Sequence, residues 1–252
     1  MSGVRLLTGR RALVTGAANG IGLAVTRTFI AEGATVAAVD CEPVPTNLGK
    51  FVHPIEWDLS DTAGIDELVR TAEQEIGPID VLVNNAGIFE QMAAVEADIA
   101  SYRRVLAVNL DAGVFLMSRL GVGMSARGYG RIVNVSSIQG RLAEEQALSY
   151  DVAKGGLEQA TRVFAVELSR YGVLVNAVAP GFVSTRMSIV NGESELETEA
   201  FKEVYLTQGK LPIRRYAMPE EIAEQVVWLA SSRNTYTTGH VMTIDGGVTL
   251  TF

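Results

Sequence analysis

A glycine-rich turn between an apolar strand and a helix restricts the fold of this chain more than any other feature of its sequence. Residues 12–14 have the pattern of a buried strand, and residues 15–22, Thr-Gly-Ala-Ala-Asn-Gly-Ile-Gly, follow directly. An apolar helical pattern then ends at Gly33, and a second apolar strand, residues 35–39, leads into Asp40. Strand, glycine turn, helix, strand and acid come in the order of a dinucleotide-binding βαβ unit.

The turn itself predicts phosphate binding. Its glycines let the backbone turn tightly and approach a pyrophosphate, and the helix that starts at Gly20 to Gly22 supplies unpaired N–H groups for the phosphate charge. The spacing is Gly-xxx-Gly-x-Gly rather than Gly-x-Gly-xx-Gly, and three nearby glycines on their own are often only a flexible turn. Their position between a strand and a helix favours phosphate binding.

Asp40 is predicted to select the cofactor. It follows Gly22 by 18 residues, and a carboxylate there can accept hydrogen bonds from both ribose hydroxyls and would repel a 2′-phosphate. Residues 17–19 of the turn contain no Arg or Lys, and neither do the two residues after Asp40, Cys41 and Glu42. The sequence therefore predicts NAD rather than NADP, with a plain turn residue at a strand end as the alternative for Asp40.

A second group of residues is suited to proton transfer. Tyr150 and Lys154 are four residues apart in a helical pattern and so share one helix face, and Ser137 lies 13 residues before Tyr150. A Lys ammonium and a helix N-terminus both favour a phenolate. Free Tyr titrates near ~10, so work near pH 7 needs a drop of roughly 3 units, or about 4 kcal/mol. Tyr-xxx-Lys alone is more often a surface pair, and the rest of the chain changes that interpretation.

Alternating strand and helix patterns continue to the C-terminus. Further strands are predicted at 52–57, 81–84, 131–136, 173–179 and 241–245, and helices at 61–76, 98–127, 150–171 and 219–231. Strands that are apolar without alternation are buried on both faces. The pattern predicts an α/β fold, a single-domain Rossmann-like doubly wound parallel sheet with helices on both faces.

The link between the second and third strands departs from this pattern. Only residues 41–50 join the two strands, and they include Pro43 and Pro45. A crossover helix needs a dozen or more residues, and proline interrupts helices. This helix is predicted to be lost or reduced to a turn, which would leave the adenine side more open.

Composition narrows the function classes. The chain has 252 residues, 48% of them apolar, without a linker or repeat, so one domain over residues 1–252 is expected. A net charge of −8 without a basic stripe argues against nucleic acid as a partner. The sequence contains no uncharged run of 18 residues, so no membrane span is predicted. His53 and His240 are too isolated to predict a metal site. The single cysteine, Cys41, fits a reducing cytoplasm.

These motifs together resemble the short-chain dehydrogenase/reductase family over nearly the whole chain. Residues 15–22 are similar to its glycine element, residues 84–87, Asn-Asn-Ala-Gly, to the motif after its fourth strand, and residues 180–185 to the turn that meets the nicotinamide. Residues 245–247 resemble its last strand-end motif, and Ala153 stands where Ser is common. The catalytic set that the resemblance implies is Asn109, Ser137, Tyr150 and Lys154.

The resemblance also implies roles for these residues. Tyr150, as phenolate, takes the proton of a secondary alcohol while hydride passes to NAD, and Ser137 steadies the substrate oxygen. Lys154 lowers the pKa of Tyr150 and holds the nicotinamide ribose. Asn109 is expected to hold a water that carries the proton to solvent, with packing or capping inside a helix as the alternative.

The remaining implied contacts concern the cofactor. Asp58 is expected at the adenine amino group, with a helix N-cap as its alternative, the Leu59 backbone beside the ring, and Val183 and Thr185 at the carboxamide. The implied cofactor-binding residues are Gly16, Asn19, Gly20, Ile21, Gly22, Asp40, Asp58, Leu59, Asn85, Ala86, Gly87, Tyr150, Lys154, Pro180, Val183 and Thr185.

The substrate side is less determined. Residues 185–208 are polar and helix-prone, in the place of the family's substrate lid. The opposite wall is expected to be formed by Gln139, Arg141, Leu142 and Glu144. Gln139, Arg141 and Arg186 would suit a hydroxylated or acidic small substrate, while a solvated loop explains these charges equally well. A polyol, sugar or cyclic secondary alcohol, including a dihydrodiol, is the favoured substrate.

The resemblance further implies assembly. Apolar stripes on the helices predicted at 98–127 and 150–171 correspond to helices that pair across a dimer axis in the family, and the tail 248–252 corresponds to a segment that contacts a neighbour. A homotetramer is expected, with a homodimer as second choice. Two other functions stay open at this point: an NADPH-dependent carbonyl or 3-oxoacyl reductase, and a non-catalytic nucleotide-sensing or scaffold protein on the same fold.

Overall fold

A parallel sheet of seven strands forms the centre of the computed structural model, which describes residues 5–190 and 192–250. Its strands are β1 (Arg11–Thr15), β2 (Thr35–Asp40), β3 (Val52–Glu56), β4 (Val81–Asn84), β5 (Gly130–Val135), β6 (Val173–Pro180) and, after the short antiparallel hairpin β7 (Ile189–Val190) and β8 (Glu193–Ser194), β9 (Val241–Ile244). The order across the sheet is β3-β2-β1-β4-β5-β6-β9. The direction of winding therefore reverses between β1 and β4, where open α/β sheets bind their ligands.

Helices cover both faces of this sheet, as predicted. They are α1 (Gly20–Ala31), α2 (Ile65–Ile76), α3 (Ile99–Leu106), α4 (Ala112–Arg127), α5 (Leu148–Leu168), α6 (Glu199–Phe201) and α7 (Pro219–Ala230). Helices α1 and α7 pack on one face, and α2, α4 and α5 pack on the other. Consecutive residues of β1 serve opposite cores, since Leu13 joins the α2 side and Val14 the α1 side. Full burial of each apolar side chain of this size stabilises the folded state by about 1.5–3 kcal/mol relative to leaving it exposed.

The connection between β2 and β3 carries no α-helix, which confirms the prediction for residues 41–50. A single 3₁₀ turn, Thr46–Leu48, replaces it, because Pro43 and Pro45 restrict the preceding backbone. Strand β3 ends at Glu56 and helix α5 begins at Leu148, one residue and two residues earlier than predicted. Tyr150 therefore lies within the first turn of α5.

The long helix predicted over residues 98–127 is interrupted. A π turn, Ala107–Asp111, separates α3 from α4 and contains Asn109. Within the described residues, the stretch Ile99–Arg127 is long and apolar enough to span a membrane by length and composition, with a mean hydropathy of 1.5 in its most apolar window. Leu116, Met117 and Leu120 of this stretch are buried against the sheet, so it is a core helix of the α/β fold.

The segment at residues 185–208 is built of short elements rather than one helix. After the turn Arg186–Ser188 come the β7–β8 hairpin, the turn Glu195–Glu197, helix α6 and a π turn, Lys202–Thr207. The C-terminal tail predicted to contact a neighbour ends at residues 251–252, which lie outside the described residues.

Candidate active site

The glycine turn after β1 leaves no room for a side chain at Gly16 or Gly22. A Cβ on Gly22 would lie 1.9 Å from the Gly16 carbonyl oxygen, and a Cβ on Gly16 would lie 2.9 Å from the Ala86 Cα. No side chain caps the first turn of α1, and that turn contains no acidic residue. Its N–H groups and the positive end of the helix dipole are therefore available to an anion, which fits the pyrophosphate of a dinucleotide.

The turn is held to the end of β4 by side-chain bonds to the backbone. The Asn85 Nδ2 donates to the carbonyls of Thr15 (2.9 Å) and Gly16 (3.2 Å). The Thr15 hydroxyl oxygen accepts from the N–H groups of Asn85 (2.9 Å) and Ala86 (3.1 Å). The side chain of Asn85, predicted to bind the cofactor, thus serves to fix the turn, which leaves the backbone of residues 85–87 to line the cleft.

The carboxylate of Asp40 ends β2 beside this turn. Its oxygens accept hydrogen bonds from the N–H of Ala18 (2.9 Å) and the N–H of Glu42 (3.0 Å). These bonds hold the carboxylate at the edge of the cleft, and the additional lone pairs of its oxygens can accept from ribose hydroxyls. The position is the one predicted for cofactor selection.

Asp58 and Leu59 follow β3, in different environments. Asp58 is exposed and accepts a hydrogen bond from the Ser60 N–H (2.9 Å), which is the main reason that its pKa is lowered. Asp61, not Asp58, caps the next turn, by accepting from the Gly64 N–H. Leu59 is buried and can form the floor beside a bound ring.

Tyr150 is buried at the carboxyl end of β5, next to Ser137. Phe89 packs edge-on against the Tyr150 ring at a centroid distance of 5.6 Å. Burial raises the pKa of Tyr150 to about 12, the Ser137 side chain lowers it, and the charges of Asp151 and Glu144 raise it. The net effect of the chain's own groups is therefore to raise this pKa, because burial outweighs the Ser137 contact, and the lowering by Lys154 stays a prediction.

Lys154 is buried one helical turn further along α5. Its Nζ donates to the Val135 carbonyl (2.9 Å) and lies 5.4 Å from the centroid of the Tyr150 ring. Burial lowers the pKa of Lys154 to about 8. The Lys154 amine can therefore take up or release a proton near pH 8, and it lies next to Tyr150.

Asn109 uses both of its amide atoms on one partner. Its Oδ1 accepts from the Ile88 N–H and its Nδ2 donates to the Ile88 carbonyl, both at 2.8 Å. A Cβ on Gly87 would lie 3.6 Å from both the Asn109 Oδ1 and the Lys154 Nζ, so the three residues meet at one point. The alternative, a packing role, thus describes the side chain of Asn109, and the predicted water relay stays a prediction.

The turn after β6 closes the cleft opposite the glycines. Val183 is buried, and the Ser184 N–H donates to the Ala217 carbonyl (2.9 Å), which holds the turn in place. A Cβ on Gly20 would lie 3.2 Å from the Thr185 Cγ2, so the turn after β6 comes directly against the start of α1. Pro180, the last residue of β6, is also buried.

The predicted substrate wall differs most from expectation. The Arg141 Nε donates to the Glu158 Oε2 (3.0 Å), a buried carboxylate that Arg162 also contacts (3.1 Å). Arg186 pairs with Glu42. The two arginines expected to suit a hydroxylated or acidic substrate are therefore both paired with carboxylates of the protein, and Arg141 shares its carboxylate with Arg162.

Apart from Lys154, the charges that act on Tyr150 are negative and belong to Asp151 and Glu144. Glu144 accepts a hydrogen bond from the Gln139 side chain, and its N–H donates to the Asp151 Oδ2 (3.0 Å). Burial, Glu195 and Asp151 raise the pKa of Glu144. The charges of Glu195 and Asp151, from separate segments of the chain, thus both act on Glu144.

An aromatic cluster attaches the segment 185–208 to the site. Phe182, in the turn after β6, packs against Phe201 at 4.9 Å and against Tyr205 at 4.6 Å between ring centroids. Burial and then the charges of Glu144 and Glu195 raise the pKa of Tyr205. The segment therefore reaches across to the loop that carries Glu144, as a lid would.

Two contacts of the site were not predicted from sequence. Phe89 packs against the Tyr150 ring. In the sequence, this contact is indicated only by the position of an apolar residue, Phe89, two residues after Gly87. Arg186 reaches Glu42 across 144 residues, and no local spacing could have indicated this pair.

Known proteins resemble this chain over its full length. Residues 16–249 match the family model described as Enoyl-(Acyl carrier protein) reductase. The galactitol 2-dehydrogenase (L-tagatose-forming) of Cereibacter sphaeroides is 40% identical, over 97% of this chain and 96% of that protein. The 3-oxoacyl-(acyl-carrier-protein) reductase of Thermotoga maritima is 38% identical, over 97% of this chain and 99% of that protein.

A solved structure agrees with the fold. The structure described as an NAD(P) dependent gluconate 5-dehydrogenase of Beutenbergia cavernae, with bound NADP at low occupancy, is 33% identical and has a TM-score of 0.88. The match covers 99% of this chain and 100% of that one.

Proposed function

Because the chain belongs to the short-chain dehydrogenase/reductase family, an oxidoreductase family that uses NAD(P), we propose that it is an NAD-dependent dehydrogenase of a secondary alcohol. The observation that carries this proposal is the buried Tyr150, with the Ser137 side chain acting on its phenol and the Lys154 Nζ 5.4 Å from the centroid of its ring. This group meets the dinucleotide cleft at Gly87. A proton-transfer group and a hydride carrier would thus act on the same carbon.

NAD is preferred over NADP on the evidence of Asp40. Its carboxylate is fixed by two backbone N–H groups at the edge of the cleft, where it would accept from the ribose hydroxyls and repel a 2′-phosphate. The Beutenbergia structure binds NADP, so family membership alone does not decide the choice. The preference rests on this chain's own carboxylate.

The residues of the site divide the proton chemistry between them. When bound, the oxidised nicotinamide ring supplies the hydride acceptor and a positive charge. Tyr150 accepts the proton of the substrate hydroxyl, and Ser137 donates a hydrogen bond to the substrate oxygen. Lys154, with a pKa of about 8, passes the proton on and binds the ribose next to the nicotinamide. Val183 and Thr185 hold the carboxamide. Asn109 fixes the backbone of Ile88 and so the neighbouring Gly87, which lies next to Lys154.

The substrate that fits the entrance is neutral and hydroxylated. Arg141 and Arg186 are both paired with carboxylates, and Glu144 and Asp151 place negative charge near Tyr150. Carboxylates accept hydrogen bonds from hydroxyl groups and repel anions. We propose a polyol, sugar or cyclic secondary alcohol, and the similarity to a galactitol dehydrogenase supports the same class. The segment 185–208 is proposed as the lid that closes over it.

A 3-oxoacyl reductase is the second candidate. The Thermotoga reductase is nearly as similar in sequence as the galactitol dehydrogenase. The acidic entrance and Asp40 argue against it, since a carrier-linked substrate is anionic and that reading expects NADPH. The third reading, a non-catalytic protein, is disfavoured because all four catalytic positions are filled.

We further propose a homotetramer in the cytoplasm, with a homodimer as second choice. Phe115 and Val122 of α4 and Val163 and Val166 of α5 are apolar and exposed, Val166 at 79%. Apolar side chains that lie along two neighbouring helices and face outward form a surface for a second copy. The exposed thiol of Cys41 fits a reducing compartment.

The test is a substrate panel at pH 9 with NAD, and with NADP in parallel. Polyols including galactitol, sugars, dihydrodiols and simple secondary alcohols are compared by the initial rate of NADH formation. Turnover of a neutral alcohol with NAD and not with NADP is the expected result. Turnover with NADP alone, or reduction of ketones by NADPH without any oxidation, would favour the reductase reading.

The Tyr150→Phe variant controls for the chemistry. Loss of the hydroxyl removes the proton acceptor but keeps the ring that packs on Phe89, so kcat should fall by about 10²- to 10⁴-fold while NADH still binds. NADH binding is followed by fluorescence. If the variant retains turnover, Tyr150 is not the acid or base.

A further inference from the structure

Two distant segments are joined by an ion pair at the cofactor cleft. The Arg186 Nη1 lies 2.5 Å from the Glu42 Oε2, and the same oxygen accepts from the Asn19 Nδ2 at 3.0 Å. Glu42 follows β2, Asn19 belongs to the glycine turn, and Arg186 follows the turn after β6. The three side chains therefore connect the adenosine side of the cleft to the base of the lid.

Arg186 is the basic side chain that these contacts place next to Asp40. The charge of Asp40 helps to raise the pKa of Arg186, after the larger effects of the hydrogen bond and charge of Glu42. The Asp40 Oδ1 in turn accepts a hydrogen bond from the Glu42 N–H, which fixes the backbone of Glu42 beside Asp40. A guanidinium thus lies in the neighbourhood that the sequence predicted to be free of positive charge.

We propose that the pairing of Glu42 with Arg186 is a second determinant of cofactor choice, because Glu42 occupies a guanidinium near Asp40 that could bind a 2′-phosphate. Arginine binds phosphate through two parallel N–H bonds. The Arg186 Nη1 donates to the Glu42 Oε2, so a 2′-phosphate that used both parallel N–H bonds would have to displace that carboxylate and also face Asp40. The inference rests on the proposed placement of the adenosine ribose at Asp40.

Removal of Glu42 and removal of Arg186 should change the affinity for NADP in opposite directions. Without the Glu42 charge, Arg186 is released while Asp40 still holds the ribose, so affinity for NADP should rise. Without Arg186, Glu42 and Asp40 are two carboxylates beside the ribose, so affinity for NADP should fall further. If Glu42 acted only by repelling the 2′-phosphate, the gain in NADP affinity on its removal would be the same with and without Arg186.

Direct binding separates these cases. NADH and NADPH are titrated by fluorescence into the wild type, E42Q, R186Q and the E42Q/R186Q double variant of the whole protein. We expect E42Q to tighten NADPH binding by about tenfold, the size of a charge-assisted hydrogen bond, with little change for NADH. The double variant should lose that gain. E67Q, which breaks the exposed Glu67–Arg70 pair of α2, is the matched control and should bind both cofactors as the wild type does.

Two results would overturn the inference. One is a gain for NADPH of less than about threefold in E42Q, well under the strength of such a contact. The other is a gain that persists in E42Q/R186Q, since it would come from charge alone. A wild type that prefers NADPH would refute the proposed NAD preference, while the ratio of E42Q to wild type would still test the pair.

Discussion

The cofactor half and the substrate half of this site are built by different means. In the cofactor half, every one of these hydrogen bonds has a backbone group as one partner: the Asn85 and Thr15 side chains bond to the backbone around the glycine turn, and backbone N–H groups hold Asp40. In the substrate half, charged side chains such as Glu144 and Glu195 approach one another from separate loops. A surface fixed by backbone geometry tolerates little change, whereas one made of partly exposed side chains can be altered without loss of the fold.

The largest effect is expected from a methyl group in the cofactor half. In Gly22→Ala the Cβ would lie 1.9 Å from the Gly16 carbonyl oxygen, and backbone rather than a flexible side chain would have to move. We expect a loss of stability of about 1–3 kcal/mol or more. Binding of NADH should weaken by about two orders of magnitude, since both glycines shape the phosphate site. Thermal unfolding and fluorescence titration measure the two effects.

Gly123→Ala is the matched control for this variant. Gly123 lies in α4, and the nearest atom to an added Cβ is the movable end of the Arg127 side chain. Alanine in a helix interior should therefore be neutral or stabilise by up to about 1 kcal/mol. Equal losses of NADH binding in both variants would show that the turn is not the rigid part of the site.

Lys154 lies where the two halves meet, and its burial should lower stability in a pH-dependent way. The folded-state pKa of about 8 lies below the ordinary 10.5, so the folded state holds this proton less tightly than the unfolded chain does. The destabilisation is then fully present below pH 8 and is relieved as the pH rises from 8 towards 10.5. Lys154→Met should remove it, with a gain of up to about 3 kcal/mol at pH 7 that shrinks towards pH 10.

Activity should move in the opposite direction in this variant, because the proton route from Tyr150 is lost. The free energy of unfolding at pH 7 and pH 10, from urea titrations, tests the stability effect. Lys50→Met is the control, since Lys50 is exposed and its removal should leave the pH dependence unchanged. A Lys154→Met protein that is less stable than the wild type at pH 7 would contradict the burial argument.

The same contrast separates what the sequence could predict from what it could not. The order of strands and helices, the glycine turn and Asp40 depend on local spacing and on the periodicity of apolar residues, and the fold was predicted correctly. The Glu42–Arg186 and Arg141–Glu158 pairs join residues far apart in the chain, where spacing carries no information. The direction of the Tyr150 pKa was missed because burial depends on the tertiary packing around the ring.

The smallest effect, and the most informative for the substrate half, is expected from Glu144→Gln. Glu144 is one of the two negative charges that raise the pKa of Tyr150, so its removal lowers that pKa and makes the phenolate more accessible. Gln keeps a hydrogen-bond acceptor for Gln139, and the bond from the residue 144 N–H to Asp151 is unchanged. Alcohol oxidation at pH 7 should rise by roughly twofold to fivefold, as for a fraction of a pKa unit.

The pH profile of kcat/KM distinguishes this cause from a change of shape, because the rising limb should move to lower pH with its plateau unchanged. The discrimination between galactitol and the anion gluconate should also narrow, since one repelling carboxylate is gone. Glu145→Gln is the matched control, because Glu145 is an exposed neighbour that is not among the groups acting on Tyr150. If both variants shift the profile equally, the effect belongs to net charge, and the entrance has no specific acidic wall. If neither does, Glu144 is too well solvated to influence Tyr150, and selection among substrates must come from the aromatic cluster around Phe182.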